Sequence, residues 1–527
     1  MPANSIVDDE GFIWVDGMRP KNEQKSCIIA GRQGKSFVID ASAGTGKTAT
    51  LRFIAANCPN RRFIYLVFNK MNAKEASMCM TDNVFATTAH SLAYHTVIGR
   101  NPDRMSRVKN SISIYEIGNI TGAYKQRNKL GKERWVLFLM NIVKTITNYC
   151  KTLDKKISVI HLPPECPSDQ SDQVVGYANE YWKKASKFHC NITHDIYLKM
   201  WSLLDPVLDY DTIMFDEAQD ANALMVQVVN QQRGNIIAVG DEHQSIYGFA
   251  GAVNALTQFR CEQRLPLTQS YRYGQNIADI ANDIITKNKG IESNIKGFEM
   301  LDTHITAGGL EYTSDTKTII ARTNMEIIKK MLDASENNKK FFVYADVTDI
   351  KITFFSLIRL KNGAQTNHPA LKEFGDWSEL MVFLKNGGNK SIGGMVKLIQ
   401  LYGVSEIVNA LNNIVDSEHK LQPDEGDYEY VFITGHKAKG LEFDNVIIND
   451  DFKNYTLDAM KKDKKDLSEP SEDDKNKLNE EINLLYVAST RAKKVMDIGL
   501  NQKLKETYRM TPMLTGGISE TSETQQR

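Results

Sequence analysis

The segment Phe37-Val38-Ile39-Asp40-Ala41-Ser42-Ala43-Gly44-Thr45-Gly46-Lys47-Thr48 constrains this chain more than any other. An apolar run that reads as a buried β-strand passes into a loop of small residues closed by Gly-Lys-Thr. Small residues let backbone N–H groups turn inward around phosphate oxygens, and the following helix aims its N-terminus at the same anion. On this reading Ala43, Gly44, Thr45 and Gly46 cradle a triphosphate, Lys47 reaches its β- and γ-phosphates, and Thr48 ligates Mg²⁺. The expected cofactors are therefore ATP and Mg²⁺. A kinase, a transporter or a switch could all use such a loop, so the purpose of the nucleotide has to be read elsewhere.

Five further short runs have the same fully apolar character: Phe63–Val67, Thr212–Phe215, Ile236–Val239, Thr318–Ile320 and Asn445–Ile448. Strands covered on both faces look like this, which predicts an α/β fold with parallel sheets flanked by helices. A chain of 527 residues exceeds one ordinary core. Two stretches break the rhythm. Residues 94–205 read as mainly helical, with Trp135–Leu139 continuing through Ile142 and Ile146; residues 361–425 also read as helical, interrupted at Gly387-Gly388 and Gly393-Gly394. Residues 451–480 are highly charged and read as a solvated loop or helix. The Gly/Ser/Thr-rich tail from Leu514 reads as disordered.

Composition narrows the context. Lys+Arg and Asp+Glu both number 65, so any polyanion must be held by a local basic surface, not by bulk charge. Seven dispersed cysteines predict reduced thiols in an intracellular protein, with neither a zinc module nor a disulfide framework. That means the nucleus in a eukaryote, or the cytoplasm in a bacterium or phage. The polar N-terminus and the lack of a long apolar run predict neither a leader nor a membrane span.

The second half of an ATP site lies at Asp216-Glu217-Ala218-Gln219-Asp220, directly after Thr212–Phe215. Carboxylates at the C-terminal end of a buried strand sit where such sheets bind ligands. Asp216 suits Mg²⁺, and Glu217 is placed to orient or deprotonate the attacking water. Gln244, after the next strand, could sense the γ-phosphate as an uncharged amide. Arg272, in Gln269-Ser270-Tyr271-Arg272-Tyr273, and Arg491, in Tyr486-Val487-Ala488-Ser489-Thr490-Arg491-Ala492, could supply positive charge to that phosphate.

Taken in order, these blocks resemble superfamily 1 helicases of the UvrD/Rep/PcrA kind over about residues 20–500. The others are Asn22-Glu23-Gln24, Phe68-Asn69-Lys70, Thr87-Thr88-Ala89-His90-Ser91, Gly240–Tyr247 and Gly435-His436-Lys437-Ala438-Lys439-Gly440-Leu441-Glu442-Phe443. Within that family Phe68-Asn69-Lys70, Thr193-His194-Asp195 with Tyr197-Leu198-Lys199, Gly251–Leu256, Leu267–Ser270 and Asp450-Asp451-Phe452 look like the F-box DNA helicase subgroup. With 23 residues before Gln24, no F-box and no ubiquitin-ligase assembly are expected.

The resemblance implies two RecA-like motor domains, each with a mainly helical insertion. The first motor would span 1–93 and 206–262 around insertion 94–205. The second would span 263–360 and 426–505 around insertion 361–425, followed by a tail, 506–527. It implies ATP-driven 3′ to 5′ movement on single-stranded DNA, with single-strand/duplex junctions as substrates and protein partners unspecified. Gln24 would read adenine, Tyr271 would stack on it, and Glu442 would contact the ribose. Phe68, Tyr247 and Phe249 would offer stacking faces to bases, with His90 and His436 on the strand. Thirteen Lys/Arg against four acids in 94–160 could add a phosphate-contacting surface or be a solvated helical face. Ala250 and Ala49 stand where relatives carry Arg, which implies looser coupling of DNA contact to ATP use and one-sided stacking of adenine. A translocase that strips filaments or remodels forks, and a non-catalytic nucleotide-binding scaffold, are the competing readings.

Overall fold

The computed structural model describes residues 6–246, 248, 255–308, 310, 315–344, 347–372, 374–413, 428–452, 472–499, 501 and 504. Tyr247, Phe249, Ala250, the charged stretch 453–471 and the tail from 505 lie outside the described residues. The chain forms two compact units. One comprises Met1–Ala41, Gly46–Leu267 and Ala345–Glu418; the other comprises Ser42–Thr45, Thr268–Tyr344 and His419–Arg527.

The first unit is built on six strands: β1 (Phe37–Ala41), β2 (Phe63–Val67), β3 (Val84–Thr88), β4 (Thr212–Phe215), β5 (Asn235–Gly240) and β6 (Gln263–Leu267). Their order is β3-β2-β4-β5-β1-β6, and every pairing is parallel. Side chains alternate across a strand, and here both faces are covered. Phe37, Ile39, Phe63, Tyr65 and Val67 join a core with the helices Asn22–Arg32 and Lys47–Ala56. Val38, Ile64, Leu66, Ile213 and Ile236 face the opposite core. Double-sided burial is why these runs are apolar throughout. The parallel α/β expectation holds.

That opposite core continues into the helical stretch after Tyr94. Helix Lys132–Lys151 buries Val136, Phe138, Leu139, Ile142 and Ile146 against Val174, Ala178 and Tyr181 of helix Ser171–Ala185. This is the helix the Trp135–Ile146 pattern predicts. Lys199, 1 % exposed, donates from Nζ to the carbonyls of Thr152 and Asp154 at 2.7 Å each. It thereby holds carbonyls just beyond the C-terminus of Lys132–Lys151, the end of a helix where a cation is favoured.

The same unit also carries the helices Val347–Lys361, Trp377–Lys385, Lys390–Tyr402 and Val404–Asn413, and helix Trp377–Lys385 packs on helix Lys132–Lys151. One expectation fails here. Gly393-Gly394 does not interrupt the helix, which runs Lys390–Tyr402. Asn389 caps its start by accepting from Ser391 N and Ile392 N, and Ile392, Val396, Leu398 and Ile399 bury an apolar stripe. Two helical glycines cost about 2 kcal/mol, which burial of four such side chains outweighs.

The second unit has its own six-stranded parallel sheet: β7 (His304–Thr306), β8 (Lys317–Ala321), β9 (Phe341–Val343), β10 (Tyr430–Thr434), β11 (Phe443–Ile448) and β12 (Ala492–Asp497), ordered β7-β12-β11-β8-β10-β9. The solvated reading of residues 451–480 also needs correction at its first residue. Asp451 is drawn in, accepting from Arg322 N at 2.9 Å, Thr323 N at 3.0 Å and Asn449 Nδ2 at 2.9 Å. Backbone donors at the start of helix Asn324–Glu336 need such an acceptor. Helix Glu472–Ser489 closes the stretch.

Candidate functional site

In the first unit the central strands β4, β5 and β1 are neighbours, and all three release their loops at the same edge of the sheet. The Gly-Lys-Thr turn follows β1, the carboxylate pair follows β4, and Asp241–Gln244 follows β5. Parallel pairing thus gathers residues distant in sequence.

Helix Lys47–Ala56 begins on Gly46, whose φ of 76° lies in the left-handed region that a Cβ disfavours. Lys47 Nζ lies 3.1 Å from Glu217 Oε1. Burial opposes its charge, but the carboxylates of Glu217, Asp216 and Asp241 prevail and hold the ammonium above its ordinary value. Asp216 is pushed up by burial and by Glu217, and Lys47 and Tyr65 counteract this. The Tyr65 hydroxyl donates to Asp216 Oδ2, while Oδ1 accepts from Glu217 N at 2.8 Å.

Glu217 has φ +50°, a left-handed conformation that is uncommon for any residue but glycine. Its carboxylate is fixed on both oxygens: Oε1 by Lys47, and Oε2 by Gln219 Nε2 at 2.6 Å. Gln244 is buried and donates from Nε2 to Asp241 Oδ2 at 2.8 Å. Gln24, 5 % exposed, donates to Thr50 Oγ1 at 3.2 Å and accepts from Lys21 N at 2.9 Å, closing the N-terminal turn of its own helix.

The residues present fit Mg²⁺. A buried carboxylate, Asp216, and the Thr48 hydroxyl both flank Tyr65 and are hard oxygen donors of the kind that ion prefers. Among the described residues no group of three or more His, Cys, Asp or Glu could hold a metal ion, so the remaining ligands would be phosphate and water.

The second unit holds the loop Ser42–Thr45 together with the two arginines. Ala43 N donates to the Tyr486 hydroxyl at 3.1 Å, and Tyr273 donates to Ala43 O at 3.1 Å. Tyr271 N donates to Gly44 O at 2.8 Å, and the Tyr271 ring lies edge-on to Phe298. A Cβ on Gly44 would fall 2.6 Å from Ser270 Oγ and 2.7 Å from Arg272 Cβ. Thr45 is buried and donates to Ser42 O at 2.9 Å. Arg272 Nε donates to Glu442 Oε1 at 2.7 Å, and Nη1 donates to Thr490 O at 3.1 Å. Arg491 is 1 % exposed, with Nε on Val487 O at 2.8 Å. Burial, then Arg272, pull its guanidinium down to about 9.

Two family models match: the UvrD/REP helicase N-terminal domain over residues 21–260, and the UvrD-like helicase C-terminal domain over residues 379–503. The chain belongs to the UvrD-like helicases. This family is a class of ATP-dependent enzymes with RecA-like motor folds, in agreement with the two parallel sheets. Among relatives, the F-box DNA helicase protein 1 of Schizosaccharomyces pombe is 29% identical over 496 residues, covering 88% of this chain and 55% of that protein. The F-box DNA helicase 1 of Gallus gallus is 28% identical over 507 residues, covering 88% of this chain and 47% of that one. A probable DNA helicase II homolog of Mycoplasma genitalium is 24% identical over 310 residues, or 52% of this chain and 44% of its own. The chain spans about half the length of these relatives.

For a UvrD-like helicase, the aromatic and histidine positions are informative. Phe68, 54 % exposed, follows β2 immediately before helix Lys70–Cys79, which Asn69 caps. His90 follows the neighbouring β3, sits edge-on to Tyr197 and is pushed down by burial. His436 follows β10 in the second unit and is also pushed down, by burial and then by Arg322. Tyr247 and Phe249 lie outside the described residues.

Most of the described cations in 94–160, Arg127 among them, stay exposed, whereas Arg104 is half-buried. Arg104 donates to Val97 O and lies over the Phe188 ring, and Arg127 lies over Trp135. Arg107, Lys109, Lys125 and Lys129 are exposed. Two site residues had no sequence signal of their own. Tyr65 reads as one more apolar strand residue, and only its hydroxyl among aliphatic neighbours marks it. Gln219, between Ala218 and Asp220, carries no charge that would mark it.

Proposed function

We propose that this UvrD-like chain is an ATP-driven DNA helicase that moves 3′ to 5′ on single-stranded DNA and unwinds duplex in DNA repair, recombination or replication. The observation that carries this reading is the fixed Lys47–Glu217–Asp216 group at the C-terminal edge of β1 and β4. Lys47 neutralises phosphate charge. Glu217, held on both oxygens, orients or deprotonates the attacking water. Thr48 and Asp216 would hold Mg²⁺, which supplies charge neutralisation to the phosphates. Gln244 senses the γ-phosphate, and Arg272 and Arg491 bring positive charge to it. Gln24 and Tyr271 recognise adenine, and Glu442 the ribose.

Single-stranded DNA and its junctions with duplex are the substrates. Exposed Phe68 stacks on a base, as would Tyr247 and Phe249, and His90 and His436 contact the strand. Low identity to each relative leaves the pathway and compartment as part of the same proposal: nucleus in a eukaryote, cytoplasm in a bacterium. Among the described residues no helix is long and apolar enough to cross a membrane.

Strand displacement on tailed duplexes of both polarities tests the proposal. Opening of 3′-tailed duplex alone supports it. Robust ATP turnover with no duplex opened would favour the filament-stripping translocase instead.

A further inference from the structure

Gln219 is 0 % exposed and forms hydrogen bonds at both ends of its amide. Nε2 donates to Glu217 Oε2 at 2.6 Å, and Oε1 accepts from Asp241 N at 3.1 Å. Its own carbonyl accepts from Ser245 Oγ at 3.3 Å. One side chain therefore links the loop after β4 to the turn after β5. That turn also carries Gln244, held by Asp241 at 2.8 Å.

The backbone is shaped for this contact. A Cβ on Gly240 would lie 2.2 Å from Gln219 Oε1, 3.1 Å from Gln219 N and 3.2 Å from Leu256 Cδ2. Only glycine at the end of β5 lets the amide reach Asp241 N. The left-handed Glu217, φ +50°, needs holding in place, and Gln219 and Lys47 do so from two sides.

We infer that Gln219 is a positioning residue for ATP cleavage: it aims the Glu217 carboxylate and transmits the state of the Asp241–Ser245 turn to it. The inference rests on the proposed role of Glu217 as the water-orienting group. An amide is the suitable group, because it donates to one neighbour while accepting from the other. A glutamate at the same place would keep the acceptor for Asp241 N and set a second carboxylate against Glu217. Small displacements of a catalytic group have large effects on rate, of the order of 10²-fold for about 1 Å.

The test is single-turnover cleavage of ATP with Mg²⁺ by the full chain, beside binding of a fluorescent ADP analogue and thermal melting. Gln219→Ala and Gln219→Glu should each slow cleavage at least about tenfold while nucleotide affinity stays within about twofold. Gly240→Ala should slow cleavage comparably when Gln219 is present and add little in the Gln219→Ala background. Such non-additivity is the mark of one shared contact. Cleavage within twofold of the unaltered chain for Gln219→Ala, or full additivity of the two substitutions, would overturn the inference. Failure of the parent reading shows separately, as an unaltered chain that binds ATP and does not cleave it.

Discussion

Lys47 and Glu217 form an ion pair 3.1 Å apart across the ends of β1 and β4. The lysine proposed to bind phosphate and the carboxylate proposed to orient water are thus each other's partners. On the proposed reading a γ-phosphate arriving at Lys47 would compete with that pairing, while Gln219 holds the second oxygen of Glu217. Lys47→Ala should therefore lower the rate of ATP turnover by about 10²-fold or more, the scale set by losing one charge-stabilising donor. Steady-state phosphate release checks this.

Arg491 gives a prediction in which stability and activity part ways. Its guanidinium is buried and pulled down to about 9 by burial and then by Arg272. A base with a depressed folded-state pKa has its stability fully present only above the unfolded value and loses it as pH falls through the folded one. At pH 7 the buried charge is a cost. Arg491→Met should leave the melting temperature unchanged or raised, since an apolar replacement of a buried charge is often neutral or stabilising. It should also slow ATP cleavage about 10³-fold if the arginine serves the γ-phosphate. Calorimetry and an ATPase assay on one preparation measure both.

Gly44 is constrained twice, by a φ of +76° and by the 2.6 Å and 2.7 Å approaches to Ser270 and Arg272 that a Cβ would make. Gly44→Ala should cost about 1–2 kcal/mol from the left-handed backbone alone. Denaturant melts give the stability, and a fluorescent ADP analogue reports whether nucleotide affinity falls with it.

Much of this was legible in the residues. The β1, β2, β4, β5, β8 and β11 runs are apolar because both faces are covered, so a simple pattern found them. The three-residue edge strands β7 and β9 carry too little pattern to be read alone. Gly393-Gly394 misled because helix propensity is local, whereas the stripe from Ile392 to Ile399 is stabilised by tertiary burial. Lys47, Asp216 and Glu217 were readable as charged groups at strand ends. Tyr65 and Gln219 were not, because their importance lies in what they touch across the sheet.

His90 and His436 set an acid-side stability limit. Burial is the leading cause that holds both below their ordinary value. Each is then harder to protonate in the folded chain than in the unfolded one, where the ordinary pKa applies. Stability should fall as pH drops from about 6.5, by part of the roughly 1.4 kcal/mol per pH unit that one full proton would give. His90→Gln and His436→Gln should each flatten that fall. Melting curves at pH 7.5, 6.5 and 5.5 decide it.

The most direct measurement is the steady-state ATPase rate with and without single-stranded DNA, with Lys47→Ala and Glu217→Gln as controls. A DNA-driven motor should hydrolyse ATP at least about tenfold faster with an oligo-dT strand, and both substitutions should abolish the stimulated rate. An equal rate with and without the strand would contradict the assignment of this chain as a DNA motor.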